Sequence, residues 1–183
     1  PMKFQAGQYV NLEVDALGGQ SRAFSLANAP QTDDVVEMNV RIVPGGQVTT
    51  WLHESLKVGD TLKLSGPYGR FFVKKSAQVP LIFMAGGSGL SSPKSMIEDL
   101  LAEGCDLPIT LVYGQRSRAE LYYDDEFREL TAKDANFTYV PALSSEPDGS
   151  DWSGARGFVH EAANAHFGND FRGHKAYLCG PPA

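Results

Sequence analysis

Leu81-Ile82-Phe83-Met84-Ala85-Gly86-Gly87-Ser88-Gly89-Leu90-Ser91-Ser92-Pro93-Lys94-Ser95-Met96 passes from an apolar strand through a cluster of glycines into a helix. Such a passage is suited to binding a phosphate. Without Cβ atoms at Gly86, Gly87 and Gly89, backbone N–H groups can approach an anion, and a helix opening near residues 91–93 adds its positive dipole end. Pro93 suits a first helical turn, where its missing N–H costs nothing. The spacing is not G-x-G-x-x-G, so that dinucleotide fingerprint does not apply. Taken alone, the turn reads equally well as a tight connection, and its meaning depends on what accompanies it.

Working outward, the 183 residues can hold one large domain or two small ones, and 42% hydrophobic with 21% charged residues is an ordinary globular balance. A formal charge of −6 argues against nucleic acid or an anionic membrane as the main partner. Cys105 and Cys179 stand far apart, without metal-ligand spacing or a disulfide framework, so the expected setting is the reducing cytoplasm. His53, His160, His166 and His174 share no metal spacing and read as surface or loop residues, so no metal site is expected. The longest apolar run is too short to span a bilayer, and no signal-peptide pattern opens the chain. The chain starts at Pro1 and stops at Gly180-Pro181-Pro182-Ala183, directly after an apolar run. We read it as a piece of a longer protein.

The texture changes near residues 76–80. Before that point, short β-rich runs at 8–14, 22–26, 36–43, 61–65 and 71–73 predict an antiparallel barrel or sandwich, with one short helix at 49–56. After it, strands at 81–84, 109–113, 137–142 and 176–179 alternate with helices at 93–103, 123–131 and 158–165. That order predicts a doubly wound parallel α/β domain. The expected division is 1–77 and 78–183, with a surface loop at 144–156.

A ligand in such a sheet sits beyond the carboxyl ends of the strands, where 86–93, 114–118 and 179–182 are expected to converge on one crevice. The first cluster offers amides. The second, Gly114-Gln115-Arg116-Ser117-Arg118, offers guanidinium groups and a hydroxyl for a ribose or its phosphate. The third sets the Cys179 thiol beside a Gly180-Pro181-Pro182 turn, which suits the edge of a flat ring, although taken alone the cysteine reads first as a small buried hydrophobe. In the first half, Arg22-Ala23-Phe24-Ser25 lies on a strand, and alternation sends Arg22 and Phe24 one way and Ala23 and Ser25 the other. Asn39-Val40-Arg41 precedes Gly45-Gly46-Gln47-Val48-Thr49, a glycine turn feeding a second helix N-terminus.

Together these motifs resemble the ferredoxin-NADP reductase superfamily over essentially the whole chain. Arg22-Ala23-Phe24-Ser25 matches its R-x-Y/F-S flavin motif, and Gly46-Gln47-Val48-Thr49 its G-x-x-S/T loop. Gly86-Gly87-Ser88-Gly89 with Pro93 resembles its G-G-T/S-G-x-x-P nicotinamide-nucleotide loop, and Cys179-Gly180-Pro181 its C-G-P motif. Leu64-Ser65-Gly66-Pro67-Tyr68-Gly69-Arg70-Phe71-Phe72-Val73 and Leu111-Val112-Tyr113-Gly114-Gln115-Arg116-Ser117 are similar to the reductase components of multicomponent phenol hydroxylases.

The resemblance implies a flavin-binding barrel, an NAD(P)-binding domain and hydride transfer from nicotinamide C4 to flavin N5. It implies FAD, and the likeness to phenol hydroxylase reductases implies NADH, with NADPH second; the residues themselves leave this open, since Arg116 and Arg118 could clamp a 2′-phosphate and Glu120 would oppose one. Arg22, Ala23, Phe24, Ser25, Asn39, Val40, Arg41, Gly45, Gly46, Val48 and Thr49 would hold the flavin. Gly86, Gly87, Ser88, Gly89, Pro93, Gly114, Arg116, Gly180 and Pro181 would hold the nicotinamide nucleotide. Ser25 and Cys179 would flank the reacting rings. Electrons would leave through a [2Fe-2S] centre, for which this chain lacks the cysteines, to the oxygenase component of a monooxygenase. A reductase serving another acceptor, or a non-catalytic nucleotide-binding adaptor, are the other readings. Phe24 in place of the usual Tyr keeps the ring and loses a phenolic hydrogen bond.

Overall fold

A computed structural model describes residues 2–32 and 34–181. In the first half, β1 (Tyr9–Val14) alternates strictly, with Val10, Leu12 and Val14 buried and Tyr9, Asn11 and Glu13 turned away. It pairs antiparallel with β2 (Gln20–Ser25) on one side and β3 (Lys63–Tyr68) on the other, giving the order β2-β1-β3. Helix α1 (Gln47–Glu54) brings Val48 down onto Leu12 and Val14 to complete this small core. Two expected strands, 36–43 and 71–73, form no ladder among the described residues. The physical reason for 36–43 lies in its polar side chains: Glu37 and Asn39 are bonded into the second half instead.

The second half is a parallel sheet of order β7-β6-β5-β4-β8, with β4 (Leu81–Gly86), β5 (Ile109–Gln115), β6 (Phe137–Leu143), β7 (Ala155–Arg156) and β8 (Lys175–Cys179). Helices lie on both faces, as a doubly wound sheet requires. Phe83, Leu111 and Tyr177 face α2 (Ser91–Ala102) and α3 (Asp124–Lys133), whereas Val112 and Ala142 face α4 (Val159–Phe167). Strand β7 was expected as loop; its residues extend the sheet only through Ala142↔Ala155 and Leu143↔Arg156, too briefly to carry a periodic pattern. No helix among the described residues is long and apolar enough to cross a membrane.

The halves are joined through a single 3-10 turn at Lys75–Ala77 and sealed along α2. Positions 91, 94, 95, 98 and 99 fall on one helical face. From that face Ser95 donates to the Asn28 carbonyl (2.7 Å), Lys94 pairs with Glu37 (3.2 Å), and Asp99 accepts from Gln31 (2.8 Å). The opposite face carries Met96, Ile97 and Leu100 into the sheet core. Near the joint, the Tyr177 hydroxyl accepts the Lys74 N–H (2.8 Å) while its ring stacks on Phe83 at 5.3 Å.

Tyr177→Phe therefore leaves that amide without its partner and costs about 1 kcal/mol of unfolding free energy in urea titration. Tyr177→Ala, which also empties the stack, costs roughly 3–5 kcal/mol. Equal stability of Tyr177→Phe and the parent contradicts the role assigned to this bond.

Candidate active site

A cleft of about 750 Å³ opens between the two halves. One wall is the edge strand β2, the segment 39–44 and the start of α1; the other is the loop after β4 and the chain end after β8. Arg22, Ala23, Phe24 and Ser25 all line it. Alternation alone predicted that they would divide. They share the cleft because β2 pairs only with β1, so its free backbone edge, and not one face, is presented. Phe24 also packs against the core of Leu12 and Val14, opposite Val10 in register.

Asn39, Arg41, Gly46, Val48 and Thr49 line the same wall. Helix α1 opens at Gly46 with no side-chain cap and no acidic residue in its first turn, which leaves amides for an anion. The Thr49 hydroxyl is not among the free donors: it accepts the Val43 N–H (3.2 Å) and donates to the Gly46 carbonyl (3.2 Å). Val40 faces a neighbouring cavity of about 510 Å³, and Gly45, with φ +75°, is the turn before the helix.

Across the cleft stand Gly87, Ser88, Gly89, Cys179, Gly180 and Pro181, while Pro182 lies outside the described residues. The parallel register puts Ala85 beside Cys179, so the two strand ends deliver their loops together. The glycines here do different work. A Cβ on Gly89 would sit 2.6 Å from the Gly180 Cα and 2.7 Å from the Cys179 carbonyl, so this glycine exists for backbone packing. Gly87, at φ +54° with nothing within 4 Å of a Cβ, is the one open to a ligand. Gly86 packs near Pro181. Pro93 departs from the motif: Leu90, Ser91 and Ser92 separate it from Gly89, one residue more than G-G-T/S-G-x-x-P permits. It is buried within α2 and does not line the cleft.

The 114–118 cluster starts at the same sheet edge, with Gly114 beside Gly86 in register, but it borders the neighbouring cavity and not the main cleft. Gly114 packs on α4, where a Cβ would meet Val159 at 3.1 Å, and Arg116 is exposed. Arg118 pairs with Asp151 (2.8 Å) beside the Trp152 ring, and Glu120 accepts the Ser117 N–H (3.1 Å). Gln115 and Glu120 line the neighbouring cavity, which shares Asn39, Arg41 and Ile42 with the main cleft. Sequence reasoning missed Ile42, Val43, Pro44 and Ser91 as cleft residues; only the position of Ser91 at a helix start signalled it. A third cavity of about 590 Å³, bordered by Phe4, Pro30 and Asp99, holds none of the residues expected to bind a cofactor.

The cleft is thus locally electropositive in an acidic chain, with Arg22, Arg41 and two uncapped helix starts. Its volume lies within the range of small-molecule sites, roughly 300–1,000 Å³. An edge strand, two amide cradles and a flat-sided thiol turn suit an elongated, phosphate-bearing ligand. Residues 1–73 match the family described as oxidoreductase FAD-binding domain, and 83–183 that described as oxidoreductase NAD-binding domain.

The chain belongs to the ferredoxin-NADP reductase-like FAD- and NAD-binding oxidoreductases.

Among relatives of this family, it is 59% identical over 182 residues to the phenol 2-monooxygenase reductase component DmpP of Pseudomonas sp. (strain CF600), and 52% identical to the phenol hydroxylase P5 protein of Acinetobacter pittii (strain PHEA-2). Each match covers 100% of this chain and 51% of the relative, so the chain spans about half their length. The crystal structure of the Amycolatopsis cytochrome P450 reductase GcoB matches with a TM-score of 0.90 at 36% identity, over 100% of this chain and 54% of that one.

Two outcomes follow from the reductase cleft. Gly89→Ala must push the backbone of 179–180 away, and lowers unfolding free energy by about 2 kcal/mol or more in denaturant titration. An unchanged midpoint contradicts the close approach. Burial pushes the Cys179 thiol above its ordinary value, so the neutral form prevails at pH 7. Its alkylation, followed by peptide mapping, rises at higher pH than that of an exposed cysteine in a model peptide; a midpoint at or below that of the model peptide contradicts the burial.

Proposed function

We propose that this chain carries the hydride-accepting step of an oxygenase reductase, in which NADH reduces an FAD held across the cleft. The observation that supports it most is the meeting of Arg22-Ala23-Phe24-Ser25 and Cys179-Gly180-Pro181 on opposite walls of one cleft. We divide the labour at 1–77 for flavin and 78–183 for nucleotide. Bound FAD supplies the chemistry of taking two electrons as hydride and releasing them singly.

The chain's own residues bind and align. Arg22 and Arg41 neutralise flavin phosphates, with the amides that follow Gly45 and Gly46 at the start of α1. Phe24 and Val48 give the apolar support, and Thr49 keeps the turn closed. The Ser25 hydroxyl would hydrogen-bond to the flavin ring, and Asn39 and Val40 would hold the segment beside it. Gly87 and Ser88 would take the dinucleotide pyrophosphate beside the α2 N-terminus, with Gly86 and Gly89 setting the loop against the turn after β8 and Pro93 stiffening that helix. Gly114 and Arg116 lie toward the adenosine. Cys179, followed by Gly180 and Pro181, would flank the nicotinamide as a neutral thiol, a contact surface and not a nucleophile.

NADH is favoured over NADPH by the state of the charges at 116–120. Arg118 is already neutralised by Asp151, and the Glu120 carboxylate is pinned at the Ser117 N–H, where it repels a 2′-phosphate. We infer that electrons pass onward to a [2Fe-2S] centre outside this chain and then to an oxygenase acting on an aromatic ring. This partner rests on the similarity to the phenol hydroxylase reductase components. Two free thiols fit a cytoplasmic setting.

Anaerobic mixing of the FAD-loaded protein with nucleotide tests the reading. NADH bleaches the flavin at least about tenfold faster than NADPH does, a difference of about 1.4 kcal/mol. No bleaching by either nucleotide overturns the proposal; faster bleaching by NADPH overturns the choice of donor. Cys179→Ala slows bleaching by about tenfold while FAD affinity stays within about twofold. Recovery of flavin-free protein instead makes Cys179 a structural residue.

A further inference from the structure

The cleft wall at 36–43 belongs to no strand ladder, yet it contributes Asn39, Arg41, Ile42 and Val43 to the site. Something else must hold it. Its backbone is tied at its two ends, where Ala27 N–H donates to the Glu37 carbonyl (2.8 Å), Glu37 N–H donates to Asn28 Oδ1 (3.0 Å) and Val43 N–H donates to the Thr49 hydroxyl (3.2 Å), and among the described residues 38–42 between them make no backbone ladder. Beyond Glu37, side chains take over. Lys94, with its side chain 5% exposed, pairs with Glu98 one turn along α2 (2.8 Å) and with Glu37 across the joint (3.2 Å). Burial opposes the Lys94 charge, but the Glu98 and Glu37 carboxylates outweigh it and keep its pKa above the ordinary lysine value.

The Tyr123 ring lies 4.7 Å from the Lys94 ammonium. Its hydroxyl is hydrogen-bonded to the Glu37 carboxylate and lies 2.6 Å from Asn39 Oδ1. Asn39 Nδ2 donates to the Ser91 hydroxyl (3.0 Å), which donates to the Ser88 carbonyl (3.2 Å) in the nucleotide-side loop. The chain of contacts therefore leaves α2 at Lys94, passes through Glu37, Tyr123 and Asn39, and returns to α2 at Ser91. Tyr123 adopts φ +57°, a left-handed conformation that a bulky residue rarely takes and that must be held by its contacts.

We propose that Tyr123 and Lys94 are positioning residues, which through Glu37, Asn39 and Ser91 fix the flavin-side wall against the nucleotide-side loop. Neither lines the main cleft. They act on the approach of the two reacting rings and leave the binding of each cofactor nearly unchanged. This inference rests on the function proposed above.

The test uses FAD-loaded parent protein, Tyr123→Phe, Lys94→Met and Lys94→Arg, with FAD affinity, NADH saturation and anaerobic bleaching rate measured for each. Tyr123→Phe keeps the ring over Lys94 and removes the hydroxyl; Lys94→Arg keeps the charge. The expected result is a fall of about tenfold in the saturated bleaching rate for Tyr123→Phe and Lys94→Met, with FAD affinity and half-saturating NADH within about threefold and with recovery in Lys94→Arg. A fall of less than about threefold in Tyr123→Phe, or a parallel loss of FAD, overturns the positioning role. Should Lys94→Met not fold, because it strands two carboxylates, Tyr123→Phe decides alone. A parent protein that NADH does not bleach overturns the proposed function, and this inference with it; a bleached parent matched by Tyr123→Phe overturns the positioning role alone.

Discussion

Everything in the cleft depends on one close approach: the backbone at Gly89 lies against the backbone at Cys179–Gly180, at distances that a single methyl group would violate. The parallel pairing of β4 with β8 makes this meeting unavoidable, because their carboxyl ends are in register. The absence of a side chain at 89 lets the two loops touch and form one wall. A glycine-rich loop in such a sheet is commonly read as room for a phosphate. Here the room is divided, with Gly87 open to the cleft and Gly89 closed by the neighbouring strand end. The loop after β4 and the turn after β8 are therefore one continuous wall of the cleft.

The opposing wall is built on a different principle. Strand β2 presents its unpaired edge, and the segment after it is fastened by side chains to α2. That helix has two jobs on two faces. Met96, Ile97 and Leu100 bury apolar area in the sheet core, which drives the packing, while Ser91, Lys94, Ser95 and Asp99 reach the first half through directional bonds. A buried lysine in such a seam adds little net stability, since desolvation offsets much of its attraction, but removing one member of the set is costly.

Much of the fold was legible because the parallel strands are continuous apolar runs and the antiparallel one alternates, as at Val10, Leu12 and Val14. The motifs at 22–25, 46–49, 86–89 and 179–181 were legible as glycine turns and a resemblance, and the structure gathers them at one cleft. What could not be read was anything carried by non-local side-chain bonds. Glu37, Lys94 and Tyr123 are distant in sequence and ordinary in type, so no local pattern marked them, and the segment 36–43 looked like a strand on composition alone. The 114–118 cluster was placed at the right sheet edge but only half read, for a related reason. Its arginines read as free donors, whereas Arg118 is held by Asp151 from a loop with no periodic signal. Pro93 was assigned by resemblance at a spacing one residue too long, and the structure puts it inside the helix.

The central claim is that one cleft brings a flavin and a nicotinamide together. A crystal structure of the FAD-loaded protein soaked with NAD⁺ tests it most directly. The account predicts the isoalloxazine ring along the β2 edge near Ser25 and the nicotinamide between it and Cys179, with the two pyrophosphates at the starts of α1 and α2. Either ring lodged elsewhere, as in the cavity bordered by Phe4 and Asp99, would contradict it.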